Sequence, residues 1–186
     1  MSEIRVASRY AKSLITLAQE KGELASIHED MQLFAVICEE NRDFELMLKN
    51  PIINHDKKLA ILKELFDDKV NETTLSFFEI IARKNRERVL PLIAKEFHIQ
   101  YNALKGVEMA TVKTIHSLND EQRSRFKSAI VEATGMNSVE LTEVIDNELI
   151  GGYILKIGGK QIDESLKGKL KELQLEFAQN PYVKGF

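Results

Sequence analysis

Apolar residues recur three and four places apart from Ile4 to Leu104, and at Gly106 that rhythm stops. In its place, Val107 to Ile115 is dense in β-branched residues and reads as a strand. A chain of 186 residues has room for one ordinary domain or two small ones. The change of period argues for two: an all-α part over 1–105 and a small α/β part over 106–186. The expected fold class is mainly α, an N-terminal six-helix bundle followed by a small α/β C-terminal domain. The junction at Lys105-Gly106 is brief, so no long flexible linker is expected.

Within the first part, Ile4, Ala7, Ala11, Leu14 and Ala18 share one face of a helix that Gly22 ends. Leu24, Ile27, Met31, Phe34 and Cys38 repeat the pattern up to Asn41. A short helix around Phe44 to Leu48 is closed by Asn50-Pro51, because a residue before proline avoids the helical region. Further helices are expected over about 55–66 and 71–84, the second with Leu75, Phe78, Ile81 and Ala82 inward. The last begins near Arg88, where Pro91 is tolerated in a first turn. Short connections imply that sequence neighbours pack together.

In the second part, Asn119 followed three places on by Gln122 resembles a capping box, opening a helix that bears Phe126, Ala129, Ile130 and Ala133. Gly135 closes it. Val139, Leu141 and Ile145 suit a strand with one buried face, and Tyr153, Leu155 and Ile157 alternate likewise. Gly158-Gly159 marks a hairpin turn. Asp163 or Ser165 caps a closing helix whose Leu166, Leu170, Leu173 and Phe177 are expected to face inward.

The sequence offers little to catalysis. Gly158-Gly159-Lys160 lacks the leading glycine and the hydroxyl residue of a phosphate loop: Ile154 and Gln161 stand there. His28-Glu29-Asp30-Met31-Gln32 lacks the second histidine of a zinc protease helix, and no GxSxG elbow exists. His28, His55, His98 and His116 lie on separate expected elements. The single cysteine, Cys38, sits between apolar positions and reads as a small buried residue. No cofactor, metal or small-molecule substrate is expected.

Apolar residues make up 44% of the chain and charged residues 30%, a globular balance. The longest apolar run, Leu33 to Cys38, is far short of the roughly 20 residues that a spanning helix needs. Met1-Ser2-Glu3-Ile4-Arg5 lacks the layout of a signal peptide, so a cytoplasmic protein is expected. The net charge is −3, and neither part has the basic excess of a nucleic-acid binder. The one sharp charge feature is Arg83-Lys84-Asn85-Arg86-Glu87-Arg88. It reads first as a solvated helix junction, second as the site of an RNA-binding helical module, third as a docking rim for an acidic partner.

Several segments, in order, resemble one family. Ala7-Ser8-Arg9-Tyr10-Ala11-Lys12-Ser13-Leu14, Leu48-Lys49-Asn50-Pro51-Ile52-Ile53 and Arg86-Glu87-Arg88-Val89-Leu90-Pro91 carry the first part of the likeness. Val144-Ile145-Asp146-Asn147-Glu148-Leu149-Ile150-Gly151-Gly152, Ile157-Gly158 and Asp163-Glu164-Ser165-Leu166 carry the second, more specific part. The chain resembles the delta subunit of the F-type ATP synthase, whose mitochondrial relative is the oligomycin sensitivity-conferring protein. It departs from the pattern at Ser13, Asn147, Gly159 and Lys167-Gly168-Lys169, which bears on local turns and contacts.

That resemblance implies a non-catalytic stator subunit that joins the catalytic head to the peripheral stalk, so that rotor torque becomes ATP. It implies that the helical part grips the N-terminal segment of an alpha subunit between its first and fifth helices, which places Tyr10, Ala11, Leu14, Phe78 and Ile81 at that contact. The α/β part is implied to hold the C-terminal end of the b subunit, at residues the sequence does not single out; the closing helix, Ser165 to Ala178, is one candidate. The implied location is the cytoplasmic face of a bacterial inner membrane, peripheral and without insertion, and no nucleic acid is implied.

Overall fold

The computed structural model describes residues 3–178. Among these the chain is mainly helical, with eight α-helices and one four-stranded sheet. It divides after Tyr101 into two compact units.

The first unit is built from α1 (Glu3–Lys21), α2 (Leu24–Glu40), α3 (Arg42–Lys49), α4 (His55–Phe66), α5 (Glu72–Arg83) and most of α6 (Leu90–Lys105). Asn41 ends α2 and starts α3, its side chain accepting the Phe44 N–H at 3.1 Å. Asn71 caps α5 in the same way by accepting the Thr73 N–H. Beyond α5, Asn85 takes the left-handed conformation at φ 54°, with Asn85 N–H bonded to the Ala82 carbonyl and Arg86 N–H to that of Ile81. This Schellman arrangement turns the chain sharply into a single 3₁₀ turn, Glu87–Val89.

Phe34, Phe44, Phe66 and Phe78 meet at the centre, with ring centroids from 5.1 Å (Phe34–Phe78) to 6.3 Å (Phe44–Phe66). Full burial of each ring stabilises the unit by about 1.5–3 kcal/mol, and the offset and edge-on geometries add to that. The aligned positions of α1 are buried from Ala7 onward, but Ile4 is exposed. It stands in the helix's first turn, where the apolar stripe has run past the elements that cover it.

The last turn of α6 belongs to the second unit, since Asn102 is buried and its amide donates to Glu140. Next come β1 (Val107–Thr114), α7 (Asp120–Thr134), β2 (Ser138–Ile145), β3 (Ile154–Ile157), β4 (Lys160–Asp163) and α8 (Leu166–Ala178). The sheet order is β2-β1-β3-β4, with β1 and β2 parallel across the α7 crossover and the other pairs antiparallel. Val112 pairs with Leu155, and both are buried. The capping box at Asn119 and Gln122 is present in both directions, at 2.8 and 3.0 Å. Gly135 ends α7 at φ 70°, and Gly158-Gly159 turns β3 into β4.

The expected inward faces fail at several places in this unit. Leu166, Leu170, Leu173 and Phe177 do not turn inward; all are exposed, Phe177 at 82%. The Ser165 hydroxyl caps α8 by accepting the Gly168 N–H, and Leu166 N–H bonds the Gly151 carbonyl, so the helix is fixed to its domain at the first turn. Periodicity identified the stripe but not what covers it. Ile145, at the end of β2, is likewise exposed, as are Ala129 and Ala133 on α7.

Candidate partner-binding surfaces

α1 and α5 engage each other directly. Lys21 Nζ donates to Thr73 Oγ1 at 2.9 Å, and Thr73 Oγ1 in turn donates to Glu23. Farther along, the Tyr10 ring meets Phe77 edge-on at 6.3 Å, and its hydroxyl accepts from Arg86 at 2.9 Å. Of the residues assigned to this surface by resemblance, only Tyr10 is partly open. Ala11, Leu14, Phe78 and Ile81 are each no more than 1% exposed and pack into the unit's own core. They carry the two helices from beneath. Besides Ile4, the large apolar side chains that reach the surface of these helices are Leu17 and Ile80, which lie off the inward faces expected from the sequence.

The basic run at 83–88 is largely tied down. Arg83 pairs with Glu79, Arg86 with Tyr10, and Arg88 with Glu3 at 2.9 Å. Glu87, in the middle of the run, is buried. Cations held by intramolecular partners make a poor phosphate track, and the RNA-binding reading gains no support.

In the second unit, α7 leaves an apolar cleft of about 700 Å³ between itself and the sheet. Leu118, Phe126, Ala129, Tyr153, Leu155 and Ile162 line it. Tyr153 and Phe126 meet edge-on at 4.9 Å on its wall. Arg123 fixes α7 to β2: its Nε donates to Glu143 at 2.5 Å and its Nη2 to the Leu118 carbonyl. The Arg123 guanidinium, joined by the Leu118 N–H, holds the Glu143 carboxyl below its ordinary pKa. Beyond the cleft, the leucines of α8 form a second apolar face open to solvent.

Gly151-Gly152 serve the backbone. Gly152 sits at φ 78°, and a Cβ there would fall 2.2 Å from the Glu164 carbonyl oxygen. Cys38 is buried, and burial, with Glu45 and Glu39 nearby, pushes its thiol up to about 12, far from a nucleophile's range. His28 and His98, 70 residues apart, are brought within 3.0 Å and stack together. Nothing in their spacing signalled this. No three His, Cys, Asp or Glu groups among the described residues are arranged to hold a metal. Nor is any helix there long and apolar enough to cross a membrane.

Each of the two units leaves apolar side chains open to solvent. The family described as "ATP synthase delta (OSCP) subunit" matches residues 6–177. The ATP synthase subunit delta of Cytophaga hutchinsonii is 40% identical, covering 96% of this chain and 97% of the relative. That of Christiangramia forsetii is 34% identical, with 98% of each covered. The chloroplastic delta chain of Chlamydomonas reinhardtii is 30% identical over 90% of this chain and 77% of the relative. A chain of the Toxoplasma gondii mitochondrial ATP synthase hexamer shares the fold, with a TM-score of 0.76 at 20% identity over 92% of this chain and 97% of that one. The chain belongs to the ATP synthase delta (OSCP) subunit family, and is a structural, non-catalytic subunit.

Proposed function

We propose that this subunit is the stator connector of a proton-translocating F-type ATP synthase, holding the catalytic head to the peripheral stalk. The helical unit receives the N-terminal segment of an alpha subunit along α1 and α5. Tyr10, Leu17 and Ile80 meet the incoming helix, and Ala11, Leu14, Phe78 and Ile81 set the spacing of the two helices beneath it. The second unit receives the C-terminal end of the b subunit, on the outer face of α8 and in the cleft beside α7.

The observation that carries this reading is the apolar surface left open among the described residues of each unit: Leu17 and Ile80 on the first, and the cleft beside α7 with the leucines of α8 on the second. An exposed contiguous apolar face on a soluble domain marks a place where another chain binds. Two tethers on one chain also reinforce each other: once one end is held, the other rebinds at high effective concentration. A joint of that kind stays assembled under fluctuating torque, so that proton flow turns the rotor against a fixed head. In this role the subunit sits peripherally at the cytoplasmic face of a bacterial inner membrane, as part of the complex.

Calorimetric titration of the full chain with a peptide copying the cognate alpha subunit's N-terminal segment tests the first contact. Saturable binding with a negative heat-capacity change is expected. Absence of binding across a wide concentration range would contradict it.

A further inference from the structure

Beside the Tyr10 end of α1, the first unit encloses a second, very different space. It is a polar cavity of about 570 Å³, bounded by the start of α1, the end of α3, α4 and the turn after α5. Lys49, Lys58, Lys84, Arg86 and Arg88 line it, against the carboxylates of Glu3 and Glu87.

Two of these charges are buried. Lys58 and Glu87 are 5% and 4% exposed. The Lys58 ammonium donates to the Leu48 carbonyl at 2.9 Å and stands 3.9 Å from Glu87 Oε2, beyond hydrogen-bond reach. The other oxygen, Glu87 Oε1, is buried with no hydrogen-bond partner among the described residues. Burying a carboxylate oxygen without a donor is costly, so this cavity is built to receive one.

The cavity therefore asks for two things at once: negative charge for Lys84 and Arg86, which have no carboxylate partner among the described residues, and an N–H for Glu87. The phosphodiester of a nucleic acid brings acceptors only; inorganic phosphate has a P–OH donor, but carries it on one small group whose charge is then set directly against the buried carboxylate. A peptide rich in Asp or Glu brings both, since its side chains are anionic and its backbone donates. The cavity also opens toward α1. Val6 and Arg86 line it and also line a neighbouring groove of about 300 Å³ that runs over Arg9, Tyr10 and Ser13. An extended ligand lying on α1 reaches the cavity without leaving the surface.

We infer that the cavity between α1, α4 and the 84–89 turn captures an acidic stretch of the same partner segment that docks on α1 and α5. The inference rests on the docking proposed above. Arg86, held by the Tyr10 hydroxyl and lying 5.8 Å from its ring centroid, joins the apolar and the charged halves of the site. Lys84, exposed at the C-cap of α5, is the cation best placed to meet the segment as it enters.

The test uses the full chain and two peptides: the cognate alpha N-terminal segment, and the same segment with every Asp and Glu replaced by its amide. The native peptide is expected to bind, the neutralised one about fivefold or more weakly at low salt, with the gap narrowing as salt rises. Lys84→Glu, at an exposed position and without harm to the fold, is expected to weaken the native peptide and leave the neutralised one unchanged. Glu87→Met, which removes both acceptor oxygens and is checked for folding by circular dichroism, is expected to weaken both, since both offer the backbone N–H. Equal binding of the two peptides to the natural chain, or a cognate segment with no Asp or Glu, would overturn the inference while leaving the docking intact. Failure of both peptides to bind would instead remove the docking on which it rests. Saturable binding of ADP that Glu87→Met abolishes would also overturn it, in favour of a nucleotide, whose base amine supplies the donor.

Discussion

Asp30 of α2 accepts a hydrogen bond from the Thr74 hydroxyl at 2.6 Å, and the same oxygen accepts the Asn71 backbone N–H at 2.9 Å. A buried carboxylate from the second helix thus secures the start of the fifth, where the helix dipole favours negative charge. The wall of the proposed alpha-subunit surface is held from behind by this bond. Asp30→Ala strands a buried hydroxyl and a backbone donor, and is expected to lower the stability of the helical unit by about 3 kcal/mol. Asp30→Asn keeps an acceptor and is expected to lose clearly less. Urea unfolding followed by far-ultraviolet circular dichroism measures both; equal, negligible losses would contradict this role.

Gly135 and Gly152 separate strain from collision. Both have positive φ, but a Cβ at Gly135 meets open space, whereas one at Gly152 strikes the Glu164 carbonyl. Gly135→Ala is expected to cost about 1–2 kcal/mol for the left-handed conformation alone. Gly152→Ala is expected to cost markedly more, because the adjoining Glu164 N–H to Tyr153 carbonyl bond must shift with the backbone. Thermal melts of the two variants give the comparison, and similar midpoints would contradict it.

Much of this was legible in the sequence because the signals were local. The capping box at Asn119 and Gln122, the stop at Asn50-Pro51 and the Gly158-Gly159 hairpin each depend on residues a few places apart. What stayed hidden was long-range. Helical spacing marks a stripe equally well for core and for interface: it put Leu170 and Leu173 inward, though both are exposed, while Leu14 and Phe78, which only the family resemblance put at a partner contact, are buried. Glu87 lay unnoticed in a basic run because a charge among charges reads as solvated, and only the turn at Asn85 buries it.

The Arg123–Glu143 pair gives the second unit a pH signature. The Arg123 hydrogen bond lowers the Glu143 pKa in the folded state. The stability it contributes is therefore complete above the unfolded value, about 4.3, and is lost as pH falls through the lower folded value. Arg123→Met is expected to lower the melting temperature at pH 7, with the gap to the natural chain closing in strong acid. Melting curves between pH 7 and pH 2 check this; a gap that widened in acid would contradict it.

The outer face of α8 separates stability from binding. Leu170→Glu and Leu173→Glu change exposed positions and are expected to shift stability by no more than about 0.5 kcal/mol. The same variants are expected to lose affinity for the soluble C-terminal part of the b subunit in analytical ultracentrifugation. Strong destabilisation would show instead that the face is packed within the chain.

Bridging is what the proposed function requires, and surface capture reads it directly. The cognate alpha N-terminal segment is immobilised, the full chain is passed over it, and the soluble b-subunit dimer follows. The b dimer is expected to be retained only where the chain has bound first, and to slow the chain's own release. Retention of the chain without any capture of b, or displacement of the chain by b, would contradict a connector that holds both partners at once.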